Sequence, residues 1–270
     1  MMKTPGATLL ACLLVVLADA GLAAEPKESP WQGALVICGG GRLPTTVRRR
    51  FLELAGGKEA RLVVVPTASA TADTADPDRF LSSWRQLGVL ELSVLHTRDR
   101  KRANDVKFVA PLKTATGVWI GGGQQSRIAT AYAGTLVETE LQGVLKRGGV
   151  VGGTSAGAAV MSRVMIASGN PIPRVSRGFD LLRSVVIDQH FLVRERQPRL
   201  RRVIRLYPER IGLGIDEGTA IVVRGGTLQV MGRSAVLAIG TSRFDEPVRE
   251  RRLNPGPPLD LAELRKQLRR

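Results

Sequence analysis

The sequence predicts an α/β protein with a doubly wound, mostly parallel sheet and antiparallel strands at one edge of that sheet. Short continuous apolar segments alternate with longer amphipathic segments, a pattern typical of parallel strands buried on both faces. Several apolar segments end in glycines, as expected where the strands of such a sheet meet a ligand. After residue 212 the segments become short and are separated by glycines, which indicates hairpins.

The elements follow in chain order from these patterns. Apolar segments predict parallel strands at residues 34–38, 61–65, 92–96, 117–120 and 150–154. Amphipathic segments predict helices at residues 44–55, 77–87, between the fourth strand and residue 146, and at 158–163. Three short segments are predicted to be hairpin strands that extend the sheet edge, at residues 219–223, 227–231 and 235–239.

One α/β domain is predicted over residues 31–253, because no internal repeat or low-complexity segment divides this part of the chain. Residues 254–270 begin Asn-Pro-Gly-Pro-Pro and continue as a short basic helix. We therefore expect these last residues to form a basic C-terminal tail.

The first 23 residues are predicted to be an export signal. Lys3 precedes an apolar run over residues 7–17, and cleavage after Ala23 places small residues at both recognition positions. A membrane anchor is the alternative, but Asp19 interrupts the run, which is shorter than the roughly 18 apolar residues that a spanning helix needs. The mature chain is expected in the periplasm or outside the cell, free of the membrane, with Cys38 as its one cysteine and hence no intrachain disulfide.

The chain is strongly basic. Its 270 residues include 40 Lys and Arg against 24 Asp and Glu, a net charge of +16 that favours acidic partners. Only three Trp and two Tyr are available for stacking on bases, so nucleic acid is not the expected partner. Two distant histidines and one mature cysteine offer no ligand cluster, so no metal is expected.

The sharpest local motif is Gly-Thr-Ser-Ala-Gly at residues 153–157, between a predicted strand and a predicted helix. Small residues around the serine permit the strained turn that exposes a nucleophilic hydroxyl, and the amide of Ala156 points to where an oxyanion would form. A glycine-rich anion-binding turn, in which Ser155 only caps the helix, is the alternative.

A serine nucleophile needs a base, and the sequence offers two histidines. His96 ends one predicted strand and His190 follows another apolar segment, so both are admissible from the residues alone. Glu217 begins a strand and could orient the base, although an Asp-Glu-Gly turn is also typical of solvent-exposed carboxylates.

The glycine segment at residues 121–125 follows the fourth strand and could supply the second oxyanion amide, from Gly123. Glycines at residues 39–41 lack the spacing and the acidic residue of a dinucleotide site, so no nucleotide site is predicted.

Three arginines, Arg194, Arg196 and Arg199, come shortly after His190. With Gly-Thr-Ser-Ala-Gly-Ala at 153–158, Gly-Gly-Gly-Gln-Gln at 121–125 and Gly-Ile-Asp-Glu at 214–217, this order of motifs resembles the cyanophycinase family of serine exopeptidases, relatives of the aspartyl dipeptidases.

The resemblance implies a flavodoxin-like fold related to class I glutamine amidotransferases, and a triad of Ser155, His190 and Glu217. Family members hydrolyse cyanophycin, a poly-aspartate backbone with arginine on each β-carboxyl, and release β-aspartyl-arginine. The resemblance also implies a set of substrate-binding residues, namely Gln125, Asp188, Gln189, Arg194, Arg196 and Arg199. No cofactor is implied, and the oligomeric state stays open between a monomer and a homodimer.

Two features depart from the family pattern. The family's glycine loop usually reads Gly-Gly-Asp-Gln, and here Gln124 occupies the position of the Asp, so Gln125 is the better match to the family's Gln. Export and high positive charge are the second departure, because cyanophycin is stored inside cells. The substrate is therefore expected to be cyanophycin or a related β-aspartyl or acidic peptide. A non-catalytic basic secreted binding protein with an intact-looking site is the alternative function.

Overall fold

The computed structural model describes residues 31–270, and the predicted export signal at residues 1–23 lies outside them. The strands are β1 (Ala34–Cys38), β2 (Arg61–Val65), β3 (Glu91–Val94), β4 (Gly117–Ile120), β5 (Val150–Thr154), β6 (Val164–Ser168), β7 (Arg174–Arg177), β8 (Val185–Gln189), β9 (Ile211–Ile215), β10 (Thr219–Arg224), β11 (Thr227–Gly232), β12 (Val236–Gly240), β13 (Arg249–Leu253) and β14 (Leu259–Asp260). The helices are α1 (Thr45–Leu54), α2 (Asp78–Arg85), α3 (Ala110–Thr114), α4 (Gln125–Tyr132), α5 (Leu136–Lys146), α6 (Ala156–Ala159), α7 (Gln197–Leu206) and α8 (Leu261–Leu268).

A large central sheet has the strand order β14-β11-β10-β1-β5-β4-β2-β3. Five neighbouring strands pair in parallel, in the order β1, β5, β4, β2 and β3. Beyond β1, strands β10, β11 and β14 add to the sheet in antiparallel pairs. The predicted α/β class, with a mostly parallel sheet and antiparallel edge strands, is confirmed. All carboxyl ends of the parallel strands meet at one edge, which is where such sheets bind ligands.

The two faces of the central sheet bury alternate residues of the same strands. In β1, Leu35 and Ile37 face α3, α4, α5 and α6, and Val36 faces α1 and α2. On the second face, Phe51, Trp84 and Trp119 contact one another with ring centroids 5.1–5.3 Å apart. Strands covered on both faces explain the continuous apolar runs in the sequence.

A second sheet, which the sequence analysis did not separate from the first, has the order β13-β12-β9-β8. One face packs into the core shared with the central sheet, and α7 covers the other through Leu200, Val203 and Ile204. The prediction that residues 235–239 extend the edge of the central sheet was wrong, because β12 pairs with β9 and β13 instead. Apolar periodicity identifies a strand but does not identify its neighbours.

The predicted helix at residues 158–163 was also wrong in extent. Helix α6 ends at Ala159, and the chain then enters β6. Phe179 and Leu181 donate backbone hydrogen bonds to the carbonyls of Val160 and Met161 at 2.7 and 2.8 Å. Together with a parallel bridge between Ser162 and Leu182, these bonds hold the chain after α6 against residues 179–182.

The C-terminal residues belong to the folded body. Strand β14 pairs with β11, and Leu261, Leu264 and Leu268 of α8 are buried in the core shared by the two sheets. Asp260 caps α8 by accepting a hydrogen bond from the amide of Glu263 at 2.8 Å. Within residues 31–270, no helix is both long and apolar enough to span a bilayer.

Candidate active site

Ser155 lies on a strained turn between β5 and α6. Its φ of 53° is unusual for a residue with a side chain, and its amide donates to the carbonyl of Cys38 at 3.0 Å. Gly157 follows the turn, where a Cβ would collide with the carbonyl of Ile120. Helix and strand therefore approach closely, and the sharp turn leaves the Ser155 side chain half-buried at the carboxyl edge of the sheet.

His190 connects Ser155 to Glu217. It follows β8 directly, and its Nε2 lies 2.9 Å from the Ser155 Oγ. Its Nδ1 makes a short hydrogen bond with Oε1 of Glu217, which lies in the turn between β9 and β10. A carboxylate only accepts, so we assign the imidazole proton to Nδ1, which leaves Nε2 free to accept the serine proton.

The charge state of His190 suits a base. Burial lowers its pKa below the ordinary value, the hydrogen bond with Glu217 raises it, and the charges of Arg194 and Arg196 lower it further. The net result is a lowered pKa, so the imidazole is neutral at neutral pH. A neutral imidazole can take a proton from a serine hydroxyl.

The glycine loop after β1 is a part of the site that the sequence analysis did not assign. A Cβ on Gly40 would collide with the His190 ring, and a Cβ on Gly41 would lie 2.6 Å from Oε2 of Glu217. The Gly39 carbonyl accepts from the His190 amide at 2.7 Å. The loop thus packs against the His190 and Glu217 pair. The triple glycine was the available signal, but it did not distinguish this packing from a nucleotide-binding loop.

Asp216 is a second residue that the sequence analysis passed over. Its Oδ1 accepts from the amides of Leu192 and Val193 at 3.0 and 3.1 Å, and its Oδ2 accepts from Ser234 Oγ at 2.8 Å. Asp216 therefore joins the segment after His190 to the turn that carries Glu217. Its position beside Glu217 in Gly-Ile-Asp-Glu was the available signal.

Two candidate oxyanion donors lie beside Ser155. Ala156 is the first residue of α6, and first-turn amides have no partner within their own helix. On the neighbouring glycine loop, a Cβ on Gly122 would lie 3.5 Å from the Ser155 Cβ. A Cβ on Gly123 would instead collide with the carbonyl of Ala68. Gly122 is thus the loop residue next to the serine side chain, and the predicted Gly123 comes one position later.

Four of the predicted substrate-binding residues form one cluster. Asp188, which is 1% exposed, accepts from Arg199 Nε at 2.7 Å, and Arg199 Nη1 donates to the Gly169 carbonyl at 2.9 Å. Arg196 Nη1 donates to the carbonyl and Oε1 of Gln189 at 2.6 and 3.0 Å. Burial lowers the pKa of Arg196 to about 10. Asp188 therefore pairs closely with Arg199, and half-buried Arg196 also reaches it, with Nη1 3.6 Å from Oδ1 of Asp188.

The remaining predicted residues differ in their surroundings. Gln125 is buried, and its Nε2 donates to the carbonyls of Ile166 and Ala167 at 2.9 and 3.0 Å. Its amide therefore anchors β6. Arg194 is exposed, four residues after His190, and its backbone amide donates to the His190 carbonyl at 3.2 Å.

His96, the other candidate base, lies in a separate cluster. Its Nδ1 is 3.0 Å from Thr67 Oγ1, and its Nε2 is 3.0 Å from Oδ1 of Asp73. Among residues 31–270 there is no group of three His, Cys, Asp or Glu side chains that could hold a metal ion. Cys38 is buried, and burial raises the pKa of its thiol.

Comparison with known proteins identifies the family of this chain. A family model described as Peptidase family S51 matches residues 35–231. The chain is 34% identical over 202 residues to a cyanophycinase of Geminocystis herdmanii (strain PCC 6308), covering 72% of this chain and 74% of that protein. It is 35% identical over 225 residues to a cyanophycinase of Synechococcus elongatus, covering 79% and 70% of the two chains.

Solved structures agree on the fold. A crystal structure of a peptidase from an acI-B1 Actinobacterium superposes with a TM-score of 0.65 at 24% identity, covering 84% of this chain and 96% of that chain. A putative peptidase E protein from Listeria monocytogenes EGD-e superposes with a TM-score of 0.54 at 16% identity, covering 75% and 99%. The family match and the curated relatives together show that this chain belongs to peptidase family S51, in the cyanophycinase family, and is a serine-type peptidase.

Proposed function

We propose that this protein is an exported exopeptidase that hydrolyses cyanophycin or a related β-aspartyl peptide with a Ser155, His190 and Glu217 triad. One observation carries the proposal: the 2.9 Å contact from Ser155 Oγ to His190 Nε2, with Glu217 on the opposite ring nitrogen. A hydroxyl, an imidazole and a carboxylate in this order form the arrangement that activates a serine nucleophile.

In the proposed reaction, His190 Nε2 takes the hydroxyl proton as Ser155 Oγ attacks the scissile carbonyl carbon. The protonated imidazole is stabilised by Glu217 and then gives the proton to the leaving amine, while the C–N bond breaks. Water next attacks the acyl-enzyme ester, with His190 again accepting and returning a proton. The lowered pKa of His190 suits its first role, because the base must begin neutral.

The tetrahedral intermediate carries a negative oxygen that needs donors. We assign one donor to the Ala156 amide and a second to the glycine loop at Gly122 or Gly123. The position of Gly122 beside the Ser155 side chain supports the loop as this second donor. Removing one such donor typically lowers kcat by a factor of about 100 to 1,000.

Arg194 and Arg196 are the proposed ligands of a substrate carboxylate. Both lie close enough to His190 to influence its pKa, so a carboxylate between them would lie beside the triad. Guanidinium binds carboxylate through two parallel hydrogen bonds. Gln189 would help by orienting Arg196, and Asp188 with Arg199 would hold β8 and α7 together below the site.

The substrate proposal rests on the curated relatives, which are named as cyanophycinases. Each unit of cyanophycin carries the free carboxylate of its arginine, which matches an arginine-lined site. Export from residues 1–23 would bring the enzyme to polymer released from other cells.

Two assays test the proposal. A fluorophosphonate probe should label wild-type protein at Ser155 and leave the Ser155→Ala variant unlabelled. Purified cyanophycin, incubated with wild-type protein, should release β-aspartyl-arginine, identified by mass. If the probe labels Ser155 but no β-aspartyl-arginine is released, the proposed triad stands and cyanophycin is excluded as the substrate. Absence of labelling in folded protein would contradict the triad and favour a basic binding protein.

A further inference from the structure

A groove lies along the exposed side of α7, separate from Ser155, and encloses about 650 Å³. We call it the α7 groove. Its lining includes Ile172, Pro198, Arg202, Arg205, Leu206 and Phe244.

The α7 groove carries free positive charge. Arg201, on the same helix, is held by Glu250, with Arg201 Nη2 2.9 Å from Oε2. Arg202 and Arg205 are exposed and make no ion pair with any residue in the described range 31–270. They lie three residues apart on a helix, so both guanidinium groups project from the same side. Together they can bind carboxylates that this chain does not provide.

The same groove exposes large apolar side chains. Ile172, Leu206 and Phe244 are 70%, 59% and 64% exposed. They come from the β6–β7 loop, the end of α7 and the segment after β12, so three separate parts of the chain bring apolar groups to one surface. Apolar side chains beside free arginines favour a ligand that combines aliphatic groups with carboxylates.

The groove is connected to the active-site edge through its own elements. Arg199 donates to the Gly169 carbonyl, and Asn170 Nδ2 donates to the Arg194 carbonyl at 3.4 Å, so the β6–β7 loop contacts the segment from Arg194 to Arg199. Helix α7 begins at Gln197, directly after Arg196. Its ten residues extend about 15 Å, which a polypeptide covers in about five residues.

We propose that the α7 groove binds the uncleaved part of a carboxylate-bearing polypeptide substrate while its terminal unit is at Ser155. This inference rests on the proposed function, since it requires a polymer substrate. A second copy of this chain is a poorer occupant, because a two-fold contact through this groove would enclose Arg202 and Arg205 of both copies in one interface without supplying carboxylates to them. A lipid surface is also a poorer occupant, because the groove is concave and a bilayer surface is flat.

Binding is measured first, without catalysis. The probe is a fluorescein-labelled twelve-residue peptide of repeated Asp-Leu-Gly, and the protein carries Ser155→Ala. Adding Arg202→Gln and Arg205→Gln should weaken binding about tenfold in fluorescence anisotropy. The matched control adds Arg49→Gln and Arg79→Gln, exposed arginines on α1 and α2, and should change the Kd less than twofold. Equal weakening by both pairs, or no binding of the probe, would overturn the proposal.

Kinetics then test the link to the active site. With β-aspartyl-arginine oligomers, the Arg202→Gln, Arg205→Gln double variant should raise KM for a ten-unit chain about tenfold and leave kcat and the KM of a two-unit chain unchanged. Equal effects on both lengths would contradict a distal site. If wild-type protein cleaves neither oligomer, the proposed function fails, and the anisotropy result still decides whether the groove binds acidic peptide.

Discussion

Two histidines in this protein each bridge a hydroxyl and a carboxylate, and we propose that only one of these two bridges acts in catalysis. His190 connects Ser155 to Glu217, and His96 connects Thr67 to Asp73. The hydroxyls differ most. Thr67 is fully buried and also bonds the Tyr132 hydroxyl at 2.9 Å, whereas Ser155 is half-buried on a strained backbone.

The carboxylates differ as well. Arg98 Nε donates to Oδ2 of Asp73 at 2.6 Å, and this bond, followed by that of His96, lowers the pKa of Asp73. The same guanidinium donates to the carbonyls of Thr67 and Ser69 at 3.1 and 2.8 Å. This cluster therefore secures the loop after β2. The comparison teaches that three matching side chains do not define a catalytic triad; an accessible hydroxyl and an uncommitted carboxylate are also required.

The largest expected effect on kcat comes from removing the Ser155 hydroxyl, compared with removing that of Thr67. Ser155→Ala should lower kcat about a millionfold, because the nucleophile is lost. Thr67→Val should keep kcat within about threefold while lowering the free energy of unfolding by roughly 1–3 kcal/mol, because a buried hydrogen bond is lost. Initial rates and thermal unfolding measure both. Activity of Ser155→Ala within tenfold of wild type would contradict the nucleophile assignment.

Replacing the two histidines should likewise affect different properties, activity for His190 and stability for His96. His190→Ala should be about as inactive as Ser155→Ala, because members of a triad act as a unit. His96→Ala should keep most of the activity and lose stability, since its partners lie in a structural cluster. Initial rates and thermal unfolding midpoints of the two variants show which histidine supports activity and which supports stability. An inactive, fully folded His96→Ala would reverse the comparison between the two clusters.

Among the carboxylates, Glu217→Gln should lower kcat roughly ten-thousandfold, a smaller effect than either change above, because Glu217 orients the base and does not transfer a proton. Asp73→Asn is the matched control and should leave kcat within about threefold. Steady-state kinetics on the same substrate compare the two. A silent Glu217→Gln would remove Glu217 from the catalytic unit.

Much of the fold was predictable because buried parallel strands leave a clear pattern. The central sheet followed from apolar runs such as β1 and β5, with glycines at their ends. The second sheet was not predictable, because β8 and β9 have the same apolar pattern and pairing depends on contacts distant in sequence. The length of α6 was missed for the same reason, since the chain after Ala159 pairs with residues 179–182, which are distant in sequence.

For the candidate site, the sequence predicted which side chains could react better than it predicted the residues that pack around them. Residues of the Gly-x-Ser-x-Gly motif come from one continuous segment, so local sequence locates Ser155 directly. His190 and Glu217 lie 27 residues apart in the chain, and the family resemblance, not the spacing, selected them. The roles of Gly40, Asp216 and Arg199 depend on tertiary contacts that no local pattern encodes.

The smallest expected effect concerns how activity depends on pH if His190 is the base, as we propose. His190 must be neutral to act as a base, so activity falls as the pH drops through its lowered pKa. The charge of Arg194 contributes to that lowering. Arg194→Gln removes a positive charge, which raises the pKa of His190 and moves the acid limb of the kcat/KM profile to higher pH.

The control is Arg163→Gln, an exposed arginine that is not among the groups acting on His190. It should leave the acid limb in place, because equal loss of net charge acts only weakly at a distance. Raising the salt concentration should reduce the difference between wild type and Arg194→Gln, since Arg194 is exposed and its charge is screened. An acid limb that stays fixed in Arg194→Gln at low salt would mean that burial and Glu217 alone set the pKa of His190, so that Arg194 acts on substrate only.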